Sequence, residues 1–95
     1  MNENNKKGVV ANPLVVLREE FDNSAVLFDP RTGSIYGLNP IGVIVWKHLD
    51  GLHTSDDIAH IVCEKADAVP ADATSHIEKF FKAAIELGLA GFEDN

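Results

Sequence analysis

Asp56, His60 and Glu64 recur every four residues, so a helix would carry all three on one face. Such a set could offer ligands to a metal ion. The same spacing also describes the solvated side of an amphipathic helix, and Ile58, Ile61, Val62 and Ala66 supply the apolar stripe opposite. We therefore read the three as a polar face and expect no metal. His48, His53 and His76 show no ligand spacing. Cys63 has Glu64 beside it, whereas a reactive thiolate needs an electropositive setting, so it reads as a small buried or half-buried hydrophobe. The chain has no Gly-rich phosphate loop, no nucleophile elbow and no pair of metal-binding cysteines. These residues do not assemble into an enzyme, and none of them calls for a cofactor.

Binding chemistry is better represented than catalysis. Ser34-Ile35-Tyr36-Gly37-Leu38 reads as a short strand at the end of a meander, where backbone N–H and C=O groups are left unpaired. Gly37 inside it would let another backbone approach closely. Tyr36 fits either the core or a bound partner. Lys79 and Lys82 fall off the apolar stripe of a later helix, with Ala83 beside them and Ser75 one turn earlier. They are either ordinary surface charge or the cationic, small-residue rim of a groove for an acidic peptide.

Composition narrows the partners. The 95 residues suffice for one domain with a modest core, and 45% are hydrophobic. Net charge is −7, from 8 basic and 15 acidic residues. A nucleic-acid binder gathers Lys and Arg on one face, and an anionic membrane would repel this chain, so neither partner is expected. The apolar runs are too short to span a membrane, the polar N-terminus does not resemble a secretory signal, and a single cysteine agrees with a reducing compartment. The sequence reads as a cytoplasmic protein.

The elements that must position the binding residues follow from local signals. Residues 1–12 read as a flexible tail and 13–92 as one domain, although Gly8–Ala11 has some strand character. Leu14–Arg18 and Ser24–Phe28 are strands joined by Glu19–Asn23, with Phe21 the expected apolar anchor of that turn. Asp29-Pro30-Arg31-Thr32-Gly33 turns the chain into Ser34–Leu38, giving a hairpin. Asn39 then suits a helix N-cap and Pro40 the first helical position. The helix from Ile41 to Leu49, apolar all round and buried, should stop at Asp50-Gly51. Thr54 caps a second helix, Val69–Asp72 breaks it, and a third runs from Ala73 to Leu87 with Ile77, Phe80, Phe81, Ala84 and Leu87 on its inner face. The expected class is α+β: a three-stranded antiparallel sheet followed by three helices, in a winged-helix-like arrangement.

The order of these segments, and above all the Gly-x-x-Tyr-x-Leu-Asn-x-x-Gly-x-x-x-Trp string from Gly33 to Trp46, resembles the PqqD-like family over about Leu14 to Leu89. Asn12–Phe21 is further similar to its SynChlorMet cassette branch. The resemblance implies a non-catalytic recognition element for ribosomally made, post-translationally modified peptides. Such a protein binds the leader of a precursor peptide and presents its core to a modifying enzyme, often a radical S-adenosylmethionine enzyme. It implies that the leader adds beside Ser34, Ile35, Tyr36, Gly37 and Leu38 and lies against Ser75, Lys79, Lys82 and Ala83. The alternative is a winged-helix DNA-binding regulator, which the net charge disfavours.

Overall fold

The structure, a computed structural model, describes residues 8–65 and 72–92. Its centre is the meander anticipated above. Strands β2 (Val16–Glu19), β3 (Ala25–Asp29) and β4 (Ser34–Leu38) form an antiparallel sheet in the order β2-β3-β4. Leu27 lies opposite both Leu17 and Tyr36, so one row of apolar side chains crosses all three strands on the inner face. Alternation then sends Val26 and Phe28 to the outer face, while Ala25, Leu27 and Asp29 are buried.

The turn after β3 works as its residue types dictate. Gly33 adopts φ +78° and its N–H donates to the Asp29 carbonyl at 2.7 Å. Helix α1 (Pro40–Lys47) begins as expected, Asn39 Oδ1 accepting from the Gly42 N–H at 2.7 Å. It ends at His48 rather than at Gly51, whose positive φ instead serves the next turn. Helix α2 (Ser55–Lys65) opens on a reciprocal cap: the Asp57 N–H donates to Thr54 Oγ1 at 3.1 Å, and the Thr54 N–H to Asp57 Oδ2 at 2.9 Å. Helix α3 (Ala73–Glu86) is followed by Gly88 at φ +76°. Ala66, the break at 69–71 and residues 1–7 of the expected tail lie outside the described residues.

Two expectations need correcting. Val9–Ala11 is not tail but β1, paired antiparallel with β5 (Ala90–Phe92) in a second, two-stranded sheet. Burial of Val9 makes that strand part of the core. Phe21, expected to anchor its turn, is 87% exposed. Asp22 and Asn23, which follow it, both take the left-handed conformation in that turn.

One core joins the layers. Leu27 of the sheet, Val45 and Trp46 of α1, Ile58 and Val62 of α2, and Ile77 and Ala84 of α3 pack in a single cluster. Helix α1, apolar but for the exposed Lys47 in its last turn, is thus central. Among the described residues, no helix is long and apolar enough to cross a membrane.

Candidate functional site

Among the described residues, β4 has β3 on one side and no strand on the other. Which of its backbone groups are free follows from the ladder. The Glu20 N–H donates to the Ser24 carbonyl at 2.8 Å, so Ser24, Val26 and Phe28 bond toward β2. Ala25, Leu27 and Asp29 therefore bond toward β4, where their opposites are Leu38, Tyr36 and Ser34. Ile35 and Gly37 are left with N–H and C=O groups aimed at the open edge.

Beside that edge runs an apolar groove. Tyr36 and Leu38 point inward from β4, half-buried, toward Phe80 and Ala83 of α3 and Leu87 at its C-terminal cap, with Trp46 and Leu27 beneath. The groove continues past Phe80 to His76 and Ile77, where Gly37, Asn39 and Ile41 form the other wall. His76, Phe80, Ala83 and Leu87 recur at spacings of four, three and four, so one face of α3 lines the cleft. Leu87, expected inside, is 48% exposed because it closes the groove rather than the core.

The four residues expected on α3 are not brought together here. Ala83 lines the groove and Lys79, one turn from both His76 and Ala83, stands at its rim. Ser75 instead faces a shallow cleft against α2 with Asp56, His60 and Cys63. Lys82 faces β5, in a dip with Phe81 and Phe92. Glu78 and Glu86 share the exposed side with both lysines, so that side carries no net positive charge. His76, Phe80 and Leu87 were missed as groove residues because an apolar stripe alone does not tell a core face from a cleft face.

The residues that first suggested chemistry do not converge. Asp56, His60 and Glu64 are exposed along α2, and Cys63, expected buried or half-buried, is exposed as well. Among the described residues, no three His, Cys, Asp or Glu side chains are grouped to hold a metal ion.

A polar clamp not read from the sequence ties the walls of the groove together. Asp29, 1% exposed, accepts from Arg31 Nε at 3.0 Å, from Arg31 Nη2 at 2.9 Å and from the Arg31 backbone N–H at 3.0 Å. The same Nη2 donates to the Gly88 carbonyl at 2.7 Å, joining the β3–β4 turn to the end of α3. The Arg31 hydrogen bonds hold the Asp29 carboxyl below the ordinary carboxylate range, outweighing the opposing effect of burial. A depressed folded-state pKa stabilises the fold above the unfolded value, about pH 4, and the contribution is lost as pH falls through the folded value. Arg31→Met should therefore lower the melting temperature at pH 7, and thermal melts from pH 7 to 3 should show that deficit shrinking below about pH 4. A deficit that stays constant over this range would show that Asp29 and Arg31 do not act as a charged pair.

Known proteins agree with this architecture. TbiB1 in complex with the TbiA(beta) leader peptide superposes with a TM-score of 0.69 at 22% identity, over 90% of this chain and 99% of that one. A lasso peptide synthetase B1 complexed with the leader peptide gives 0.70 at 23% identity, over 87% and 96%. The heterocyclase TruD gives 0.62 at 14% identity, with 92% of this chain matching 12% of that much longer one. The comparison with curated protein sequences found no match. The family model described as coenzyme PQQ synthesis protein D (PqqD) matches residues 24–90, from the start of the β3 hairpin to the start of β5. That match spans well over half of the chain, which therefore belongs to the PqqD family.

Proposed function

We propose that this chain is a non-catalytic binder of the leader of a ribosomally made precursor peptide. The leader adds as a strand to β4 and packs its inward side chains into the groove against α3. The observation that carries this reading is the juxtaposition of a free strand edge with an apolar groove along its length. Strand addition takes affinity from main-chain hydrogen bonds and specificity from pockets for alternate side chains, and both are supplied here without any reactive group. The Ile35 and Gly37 backbones dock the peptide; Tyr36, Leu38, Phe80, Ala83 and Leu87 receive it, with Lys79 at the rim. Ser75 and Lys82 are peripheral. The two similar B1 structures, both complexes with a leader peptide, support the assignment by likeness of fold. The PqqD resemblance supports a separate modifying enzyme as second partner, of the radical S-adenosylmethionine class, and a cytoplasmic setting.

An NMR titration of the labelled chain with the leader encoded nearest its gene tests this. Amide shifts should concentrate on Ser34–Leu38 and on His76, Phe80, Ala83 and Leu87. Shifts confined to α2 around Asp56 and His60, or none at millimolar peptide, would place the site elsewhere.

The regulator alternative makes the opposite prediction. With a net charge of −7 and lysines interleaved with glutamates on α3, the chain should not bind mixed-sequence duplex DNA measurably at physiological salt. Fluorescence anisotropy on labelled duplex checks this, and salt-sensitive binding at low micromolar concentration would put the regulator first.

A further inference from the structure

Gly37 is a glycine for which the fold itself gives no reason. Its φ is not positive, and a Cβ added there would meet nothing within 4 Å. By contrast, a Cβ on Gly8 would come within 2.8 Å of backbone, and one on Gly42 within 3.3 Å of Leu38 and Asn39. A glycine inside a strand loses more conformational freedom on folding than any other residue and packs nothing. What it leaves at this position is open space on the outer face of the sheet, at the free edge.

That space lies in an apolar setting. Val16, Phe28 and Ile35 form a cross-strand row on the outer face, 53%, 39% and 66% exposed. The next row runs Arg18, Val26, Gly37 and ends in the gap. A strand added to β4 would place one residue opposite Gly37 with its side chain on this same face. Val26 would then lie two strand spacings away, roughly 10 Å. A short side chain cannot cross that distance. A long flat ring can, provided the residue between has no Cβ, and in doing so it covers the exposed glycine backbone and touches Ile35 on the diagonal.

Resting on the peptide-binding reading above, we propose that the β4 edge selects a peptide with an aromatic residue at the position paired with Gly37, its ring lying across the glycine toward Val26 and Ile35. The peptide is then gripped on both faces: inward side chains in the groove, one ring on the outer sheet surface.

A display library of randomised 12-residue peptides, selected on the full chain, tests the proposal without knowledge of the natural leader. Selected peptides should share Phe, Tyr or Trp at one register position. Their affinity should fall roughly threefold to tenfold for Gly37→Val, and less for Gly37→Ala. Gly91→Ala, at a second glycine with free space but on β5, should bind like the wild type. Replacing the shared aromatic by Ala in the peptide should abolish the discrimination between wild type and Gly37→Val, the coupling expected of a direct contact. Thermal melts of both Gly37 variants should be no lower than wild type, which separates lost recognition from lost folding. Selected peptides that bind Gly37→Val as tightly as wild type, or that share no aromatic, would overturn the proposal while leaving strand addition standing. A library yielding no binder to the wild-type chain would overturn the peptide-binding reading itself, and this proposal with it.

Discussion

Replacing Trp46 by alanine should destabilise the domain by about 3–5 kcal/mol, the range for truncating a large buried aromatic. Trp46 is 7% exposed and belongs to the cluster that joins the sheet to the helices. Stabilities of small domains lie at about 5–15 kcal/mol, so one substitution removes a large share of the total. For a chain of this size the melting temperature should drop by more than about 10 °C. Trp46 is the only tryptophan, so unfolding of the variant must be followed by circular dichroism rather than by tryptophan fluorescence. The side chain also forms the floor of the groove beneath Tyr36, Leu38 and Phe80, so the folded variant should bind peptide more weakly. An unchanged melting temperature would mean that α1 is not at the centre of the core.

Gly37→Pro should abolish most of the peptide affinity while the domain stays folded. Proline removes one N–H, and in β4 that N–H faces the open edge rather than β3. Proline is tolerated where a strand's N–H faces solvent, and its restriction on the preceding residue favours the extended conformation Tyr36 already has. The bound peptide would lose one main-chain hydrogen bond and keep an unsatisfied carbonyl. Together these cost about 2–3 kcal/mol, or roughly 30- to 150-fold in Kd. Calorimetric titration with a thermal melt of the same sample checks both halves of the prediction. A folded variant with wild-type affinity would show that the peptide does not pair with β4; a variant that fails to fold would show that the Gly37 N–H bonds to β3 instead.

These two residues lie on one line of argument, from core to groove to edge. Trp46 holds α1 under the sheet, α1 and the sheet position Tyr36 and Leu38, and the Arg31 clamp sets the far wall of the groove at the end of α3. The groove is therefore a consequence of packing between elements rather than of any reactive side chain.

The sequence by itself determined those features that depend on a few adjacent residues. Asp29-Pro30 with Gly33 requires a turn, and Ser34–Leu38 emerged as β4 with the bounds its flanking signals set. Asn39-Pro40 fixed the start of α1, and Thr54 that of α2, because a cap is a contact within four residues. The string from Gly33 to Trp46 was specific enough to point to the family. Tertiary structure decided everything that joins distant residues. Val9–Ala11 became a strand because distant segments offer it partners, Ala90–Phe92 some 80 residues later on one side and Leu49–Gly51 on the other. Asp29 can be buried only because Arg31 closes over it and reaches Gly88. The face of α3 that lines the groove is the clearest case. Periodicity separates the apolar side of a helix from the polar side, but the division of the apolar side between core and cleft depends on how far β4 stands from α3. Hence Phe80 and Leu87, on the apolar stripe, line the groove, whereas Ser75 and Lys82 lie outside it, since helical spacing gives an angle around the axis and only the packing of its neighbours gives that angle a direction.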